Sequence, residues 1–401
     1  MQDNISRIAF VFNRAIKIPS NYREYYISRV LLSRGYKVKW FFTCNTENQG
    51  FYKEFFSCKI LNEKKVPKLL KYLFYPLYIA VVLKIHGIKM LWISGWNERS
   101  HTYLRLYVKL LKIFSIKLVY DPVDPIYEYK TASGVVKRPK KLKSCMNSIY
   151  RSVDLVLVPT EELRKLLIYN GAPQDKIKVT WFGTNLEVFH SLKKERPHEL
   201  DFLSQKFVIG WLGHMSPFKG IEDILIPLIK TIHKKIPESY FLIGGEGILE
   251  PELKLLEEKE HLPITLFGKV DYQDAPLFTE LIDLYVVPID DKKEMARAIR
   301  PIKIFDALSL AVPIVTTGTE ATLFLKKEFR SISFAENNLE SFSEKLVSAY
   351  LNYEELKQYA REDQKIVKRY DNRVIAEKIV DCLEKSVVEN NAKRDKNLGD
   401  V

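Results

Sequence analysis

Arg300 to Thr317 reads RPIKIFDALSLAVPIVTT, and the fold class follows from it. Pro301 suits the first turn of a helix, where its missing N–H leaves no bond unmade. Ile302, Phe305, Leu308 and Ala311 give that helix one apolar side, and Val312, Pro313, Ile314 and Val315 form the short, wholly apolar run of a buried parallel strand. A helix leading into such a strand belongs to a sheet covered on both faces. The positive end of the helix dipole, Arg300 just before it and Lys303 in its first turn make an anion site, with Asp306 one turn later. A nucleotide fits that order, with its phosphates at the helix start and its ribose diol on the carboxylate. Spacing alone leaves a second reading open, because Lys303 and Asp306 stand as a solvated surface pair also would.

Upstream, Phe207 to Leu212 reads as a strand, followed by the loop Gly213-His214-Met215-Ser216-Pro217-Phe218-Lys219-Gly220. Ile221, Ile224, Leu225, Leu228, Ile229 and Ile232 then recur at helical spacing, with Pro227 expected to kink the helix. Strand, glycine loop, lysine and helix start are the parts of a diphosphate cradle. Tyr240 to Glu246, Pro263 to Val270 and Leu284 to Pro288 read as further strands.

The segment around Pro301 resembles the signature P-x-K-x-[FL]-[ED]-A-x-[AS]-x-G-x-P-V-V of glycosyltransferase family 4 and its relatives in the GT-B superfamily. The loop Gly213 to Gly220 is similar to that family's G-R-x4-K-G, with His214 in place of the Arg. The resemblance implies an α/β protein of GT-B fold, with two facing Rossmann-like doubly wound domains and an interdomain cleft. It implies a nucleotide-diphosphate sugar as donor substrate, no cofactor and no metal. The donor nucleotide would lie on Gly213, His214, Lys219, Gly268, Lys269, Val270, Ile302, Lys303 and Asp306, with Lys219 and Lys303 carrying the charge of the leaving diphosphate. In the family's E-x7-E, Ala298 takes the place of the first Glu and Asp306 that of the second. Most of family 4 retains anomeric configuration, and the missing Glu leaves an inverting route open.

The N-terminal half matches the family less closely. Ile5 to Phe12, a helix ending at Gly35 and Val38 to Phe42 make a βαβ start. The loop that follows the first strand lacks the family's glycine pair, and its Arg14 and Lys17 are candidates to face an anionic acceptor. Lys117 to Tyr120 ends in Asp121-Pro122-Val123-Asp124-Pro125, with Asp124 where many family members have the Asp of a His-Asp pair. Asp124 is thus the candidate general base. Residues 154 to 190 follow the family along their length: a strand, a Thr160 cap, a helix ended by Gly171 and a second strand. Phe182-Gly183-Thr184-Asn185 reads as a turn closing the first domain.

Leu69 to Leu83 is the most apolar stretch. Its uncharged part is far short of the roughly 20 residues that span a bilayer. Tyrosines and flanking Lys65, Lys68, Lys71 and Lys84 suit an interfacial helix on anionic lipid, and the length equally suits a core helix.

With 401 residues, 46% of them hydrophobic, the chain has material for two cored domains. We expect 1–190 as an acceptor-binding domain, 191–205 as a linker, 206–375 as the nucleotide-sugar domain, and 376–401 as a helix crossing back to the first domain plus a frayed tail. Residues 1–200 hold 35 Lys/Arg against 16 Asp/Glu, the remainder 28 against 34, so the basic half prefers anionic partners. No nucleic-acid recognition motif accompanies that charge. Cys44, Cys58, Cys145 and Cys382 have neither metal-ligand spacing nor a disulfide framework, and no secretion leader precedes Ile8. The expected setting is cytoplasmic, possible contact with the inner membrane face included. The acceptor is then a glycan or lipid-linked glycan of cell-surface polysaccharide or lipopolysaccharide biosynthesis. A different class, a non-catalytic GT-B subunit that binds a partner glycosyltransferase or the membrane, fits the missing Glu and glycines.

Overall fold

A computed structural model describes residues 7–12, 22–42, 56–59, 74–94, 101–122, 124–190, 198–216, 219–258 and 260–399. The chain divides into two compact units, Met1–Trp181 with Arg373–Val401, and Phe182–Asn372.

The first unit is a seven-stranded sheet: β1 Arg7–Phe12, β2 Lys37–Phe42, β3 Phe56–Lys59, β4 Met90–Ser94, β5 Lys117–Asp121, β6 Leu155–Val158 and β7 Ile177–Val179. The strands run in the order β3-β2-β1-β4-β5-β6-β7 and every pairing is parallel. Winding outward from β1 in one direction and from β4 in the other creates a switch point between them, where doubly wound sheets open toward ligands. β4 is buried along its whole length, as a strand covered on both faces must be. Phe10, Trp40 and Trp92 centre one core, with the Phe10 and Trp92 rings stacked 5.4 Å apart. The helix Asn372–Gly399 adds Ile375, Ala376, Ile379, Val380 and Leu383 to that core. At about 1.5–3 kcal/mol per large aliphatic chain buried, this helix is a substantial part of the first unit's stability. Arg34 anchors its outer edge through Asp381 at 2.7 Å and Glu384 at 2.8 Å.

The second unit is a six-stranded parallel sheet: β8 Phe207–Leu212, β9 Ser239–Gly244, β10 Ile264–Leu266, β11 Leu284–Val287, β12 Ile314–Thr317 and β13 Ile332–Ala335, ordered β10-β9-β8-β11-β12-β13. Its switch point lies between β8 and β11. The loops leaving those two strands, and the helix between β11 and β12, therefore gather at one edge.

Four details differ from the sequence reading. Residues 182–190 belong to the second unit rather than to a 1–190 domain: Thr184 bridges to Asp371, and Phe189 packs edge-on against Tyr272 at 5.5 Å. The helix after Pro301 runs Ile302–Ser309 and buries Ile304, Phe305, Ala307 and Leu308, while Ile302 is exposed. Phe305 sets that rotation, because its ring stacks on Tyr370 at 4.4 Å. Ala311 does not continue the apolar side; at φ 55° it occupies the left-handed position that ends the helix, with Val312 N–H reaching back to the Ala307 carbonyl. Pro227 produces no simple kink: a π turn over Ile221–Leu225 precedes an α-helix Ile226–Thr231, so Pro227 falls in a first turn where no amide is needed.

Candidate functional site

The helix Ile302–Ser309 starts beside the carboxyl end of β8. Its Lys303 ammonium donates to the Leu212 carbonyl and lies 5.4 Å from the centre of the Trp211 ring. A Cβ on Gly213 would fall 2.1 Å from Lys303 Nζ, so any larger residue there would displace the ammonium. Burial and the neighbouring Lys219 charge lower the Lys303 pKa to about 7, against the opposing pull of Asp306. A lysine brought this close to neutrality by desolvation and a like charge is prepared to gain from an incoming anion.

One turn on, Asp306 accepts a hydrogen bond from Thr184 Oγ1 at 2.6 Å. Burial raises its pKa to about 7, although the Thr184 hydroxyl and Lys303 both favour the carboxylate. Tyr285 on β11 lies close enough to feel the Asp306 charge, and its hydroxyl meets the Leu212 backbone, accepting from the amide at 3.1 Å. Lysine, carboxylate and phenol thus surround the end of β8.

The loop after β8 is locked by its neighbours. Gly213 N–H donates to the Gly244 carbonyl and Met215 N–H to Glu246, each at 2.9 Å. Gly245 passes so close, at φ 129°, that a Cβ would stand 1.7 Å from the Gly213 oxygen. In this loop Ser216 is buried, and its Oγ makes no hydrogen bond among the described residues. A buried hydroxyl normally finds a partner, so Ser216 is a candidate donor to a ligand.

The remaining sequence candidates separate into groups. His214 is exposed and Lys219 half-buried in the same loop. Gly268 follows β10 at φ 60°, and its carbonyl accepts from Gly245 N–H at 2.5 Å. Lys269 is exposed, 3.6 Å from Glu246, and Val270 lines the approach to Gly244. Arg300, read as part of the anion site, is turned elsewhere: its Nε donates to the Ala321 carbonyl at 3.0 Å and its guanidinium covers the Phe324 ring. Ala298 is buried in the helix Glu294–Ala298. Asp124 is exposed beyond β5 in the other unit, and Arg14 and Lys17 lie outside the described residues.

Two features of the site were missed in the sequence. Thr184, read as a turn residue, holds the Asp306 carboxylate, and Tyr285 looked like one more apolar strand residue. At the carboxyl ends of β4 and β5 in the first unit, a buried ion pair joins Arg23 to Asp121 at 2.5 Å, and Ser94 donates to Glu24 at 2.5 Å. Arg23 and Glu24 open a helix in the sequence and gave no sign of facing inward.

Residues 206–352 match the family model described as glycosyl transferases group 1. The second unit therefore contains the stretch that is similar to group 1 glycosyl transferases. The matched stretch holds every residue of the Lys303 site except Thr184, which precedes it. TuaH of Bacillus subtilis, named for a glycosyltransferase role in teichuronic acid biosynthesis, is 23% identical over 194 residues, 48% of this chain and 47% of TuaH; the match thus spans about half the length of that relative. Among solved structures, Anabaena HepE in complex with UDP and glucose superposes with TM-score 0.70 at 15% identity, covering 95% of this chain and 100% of HepE. Sucrose-phosphate synthase from Thermosynechococcus elongatus superposes with TM-score 0.74 at 13% identity, covering 96% and 100%. These likenesses show the fold, and the chain has the GT-B fold.

Proposed function

We propose that the protein is a glycosyltransferase that moves a sugar from a nucleotide-diphosphate donor to a glycan or lipid-linked glycan of cell-surface polysaccharide biosynthesis. The observation that carries this reading is the convergence of Lys303, Lys219 and Asp306 at the carboxyl end of β8, inside the stretch similar to group 1 glycosyl transferases. HepE is structurally similar and has been solved with UDP-glucose, which makes a uridine nucleotide the first donor to test. TuaH by its name points to cell-surface polysaccharide.

In this reading the donor diphosphate lies against Lys303 and Lys219, and the Ser216 hydroxyl donates to it. Asp306 receives the ribose diol, with Thr184 holding the carboxylate in place. Breaking the anomeric bond places charge on the leaving diphosphate, and two preorganised cations in a poorly solvated site stabilise that charge as it develops. The donor set here is cationic, which fits chemistry without a metal. Asp124, at the carboxyl edge of the first unit's sheet, is the candidate for handling the acceptor proton. With Ala298 in place of a carboxylate, retention of anomeric configuration remains part of the proposal to be tested on product.

Among the described residues no helix is long and apolar enough to cross a membrane. The helix Tyr75–Ile85 buries Ile79, Ala80 and Leu83, yet leaves Leu77, Tyr78, Val81 and Ile85 exposed. That two-sided pattern supports peripheral contact with a bilayer, the first of the two readings of Leu69 to Leu83.

The test is calorimetry with UDP, GDP and ADP and their glucose conjugates. One nucleoside diphosphate binding to the parent, and at least tenfold more weakly to Asp306→Asn, supports the donor site. If no nucleotide binds while anionic vesicles do, the protein is instead the non-catalytic GT-B subunit.

A further inference from the structure

Between Glu128 and Asp154 the chain has seven cations, Lys130, Lys137, Arg138, Lys140, Lys141, Lys143 and Arg151, and no acid. The structure folds four of them around one opening. A cavity of about 510 Å³ is lined by Lys130, Lys137, Arg138 and Lys141, with Val135 and Leu142 among its apolar walls. That volume falls within the range of small-molecule sites, roughly 300–1,000 Å³. Val135 is 60% exposed and Leu142 is buried, so the apolar side runs from the mouth to the floor. Among the described residues, no carboxylate forms an ion pair with Lys137, Arg138 or Lys141. All three are exposed, so in the free protein they are solvated and open to an anion from outside.

The cavity also has a definite place in the fold. The helix Ile126–Ala132 leaves the carboxyl end of β5, and the helix Pro139–Ser152 returns to the start of β6. With 14 residues the second helix is about 20 Å long, so its beginning lies back toward the carboxyl ends of the strands. That is the edge on which an α/β unit takes its ligand.

We propose that this cavity is a binding site for a phosphate-bearing ligand, separate from the donor site of the second unit. Arg138 offers a planar fork suited to two phosphate oxygens, Lys137 and Lys141 add mobile point charges, and the Val135 wall receives a less polar remainder of the same molecule. A phosphorylated glycan and a lipid headgroup share this chemistry. The site does not depend on sugar transfer by the second unit, and its test can fail while nucleotide binding stands.

The full-length protein is titrated with inorganic pyrophosphate by calorimetry in a Lys303→Met background, which removes a donor-site cation that would take the same probe. Three forms are compared: the background alone as parent, the pocket triple Lys137→Gln/Arg138→Gln/Lys141→Gln, and a control triple Lys37→Gln/Lys89→Gln/Lys109→Gln of equal charge change. Nucleotide binding is measured on the same triples with Lys303 restored. All three control lysines are exposed in the first unit. The proposal expects at least tenfold weaker pyrophosphate binding in the pocket triple, near-parental binding in the control, and unchanged nucleotide binding in both. Flotation with phosphatidylglycerol/phosphatidylcholine vesicles distinguishes the source. Vesicle binding that pyrophosphate displaces, and that the pocket triple loses, indicates a headgroup; pyrophosphate binding without vesicle binding indicates a soluble phosphorylated ligand. Equal pyrophosphate binding by parent and pocket triple, or equal losses in the two triples, overturns the proposal.

Discussion

Lys303 should couple nucleotide binding to proton uptake. With its pKa lowered to about 7, the free protein holds this lysine mostly neutral above that pH. At pH 8.5 only about 3% is charged, and a bound diphosphate that restores the ordinary lysine range draws in nearly one proton per site. Protonating it at that pH costs about 2 kcal/mol, so the lysine's share of the affinity for the nucleoside diphosphate should fall about 30-fold between pH 6 and 8.5. Asp306, raised to about 7, is already ionised at pH 8.5 and takes no part there. The ligand's own phosphate titrates near pH 6 and contributes equally to any variant. Subtracting a Lys303→Met protein, of similar volume and no charge, therefore isolates the lysine. Calorimetry in buffers of different ionisation enthalpy counts the protons. Parent protein should take up about 0.9 proton at pH 8.5 and Lys303→Met about none. Equal uptake by the two, or a parental affinity independent of pH from 7 to 8.5, would refute the reasoning.

Other outcomes follow from the same geometry. The raised Asp306 pKa means the unfolded chain ionises first, so stability falls from about pH 4 to 7, and the lowered Lys303 pKa means it recovers from about pH 7 to 10; Lys303→Met should abolish the rise above pH 7 in urea unfolding of the second unit. Thr184→Val removes the hydroxyl that bonds Asp306 and should cost about 1–2 kcal/mol in the same assay, with weaker nucleotide binding. Gly245→Ala forces a Cβ onto the Gly213 carbonyl and should cost about 3 kcal/mol or more, seen as a lowered Tm. Ala311→Gly relieves a left-handed alanine and should stabilise by about 0.5–1 kcal/mol, because the strain removed exceeds the entropy that glycine adds to the unfolded chain.

Much of the architecture was legible because several buried strands carry a continuous apolar run. Phe207 to Leu212 announced itself in that way, the run Val312 to Val315 announced a strand that the structure places two residues later at Ile314–Thr317, and the glycine loop between β8 and its helix marked the edge where the site lies. Thr160 was readable as a cap because its hydroxyl acts locally, three residues ahead on Leu163 N–H. The side of a helix that faces inward was less legible. In IKIFDALS the choice between Ile302 and Ile304 as the buried residue depends on the Tyr370 ring, 65 residues from Phe305 and invisible to local periodicity. For the same reason Thr184 was missed: it is 122 residues from Asp306, and only the folded second unit makes them neighbours. The seven cations between Glu128 and Asp154 were counted as part of a basic half. Their arrangement around a cavity depends on the turn joining two helices, which no charge count contains.

The central claim is that the second unit activates a nucleotide-diphosphate sugar. It is tested most directly by release of nucleoside diphosphate from a panel of nucleotide sugars, with and without glycan or lipid-linked acceptors, by parent and Lys303→Met proteins. The account predicts release from one donor by the parent, at least a hundredfold slower in the variant. Equal release by both proteins, or none from any donor under any acceptor condition, would contradict it.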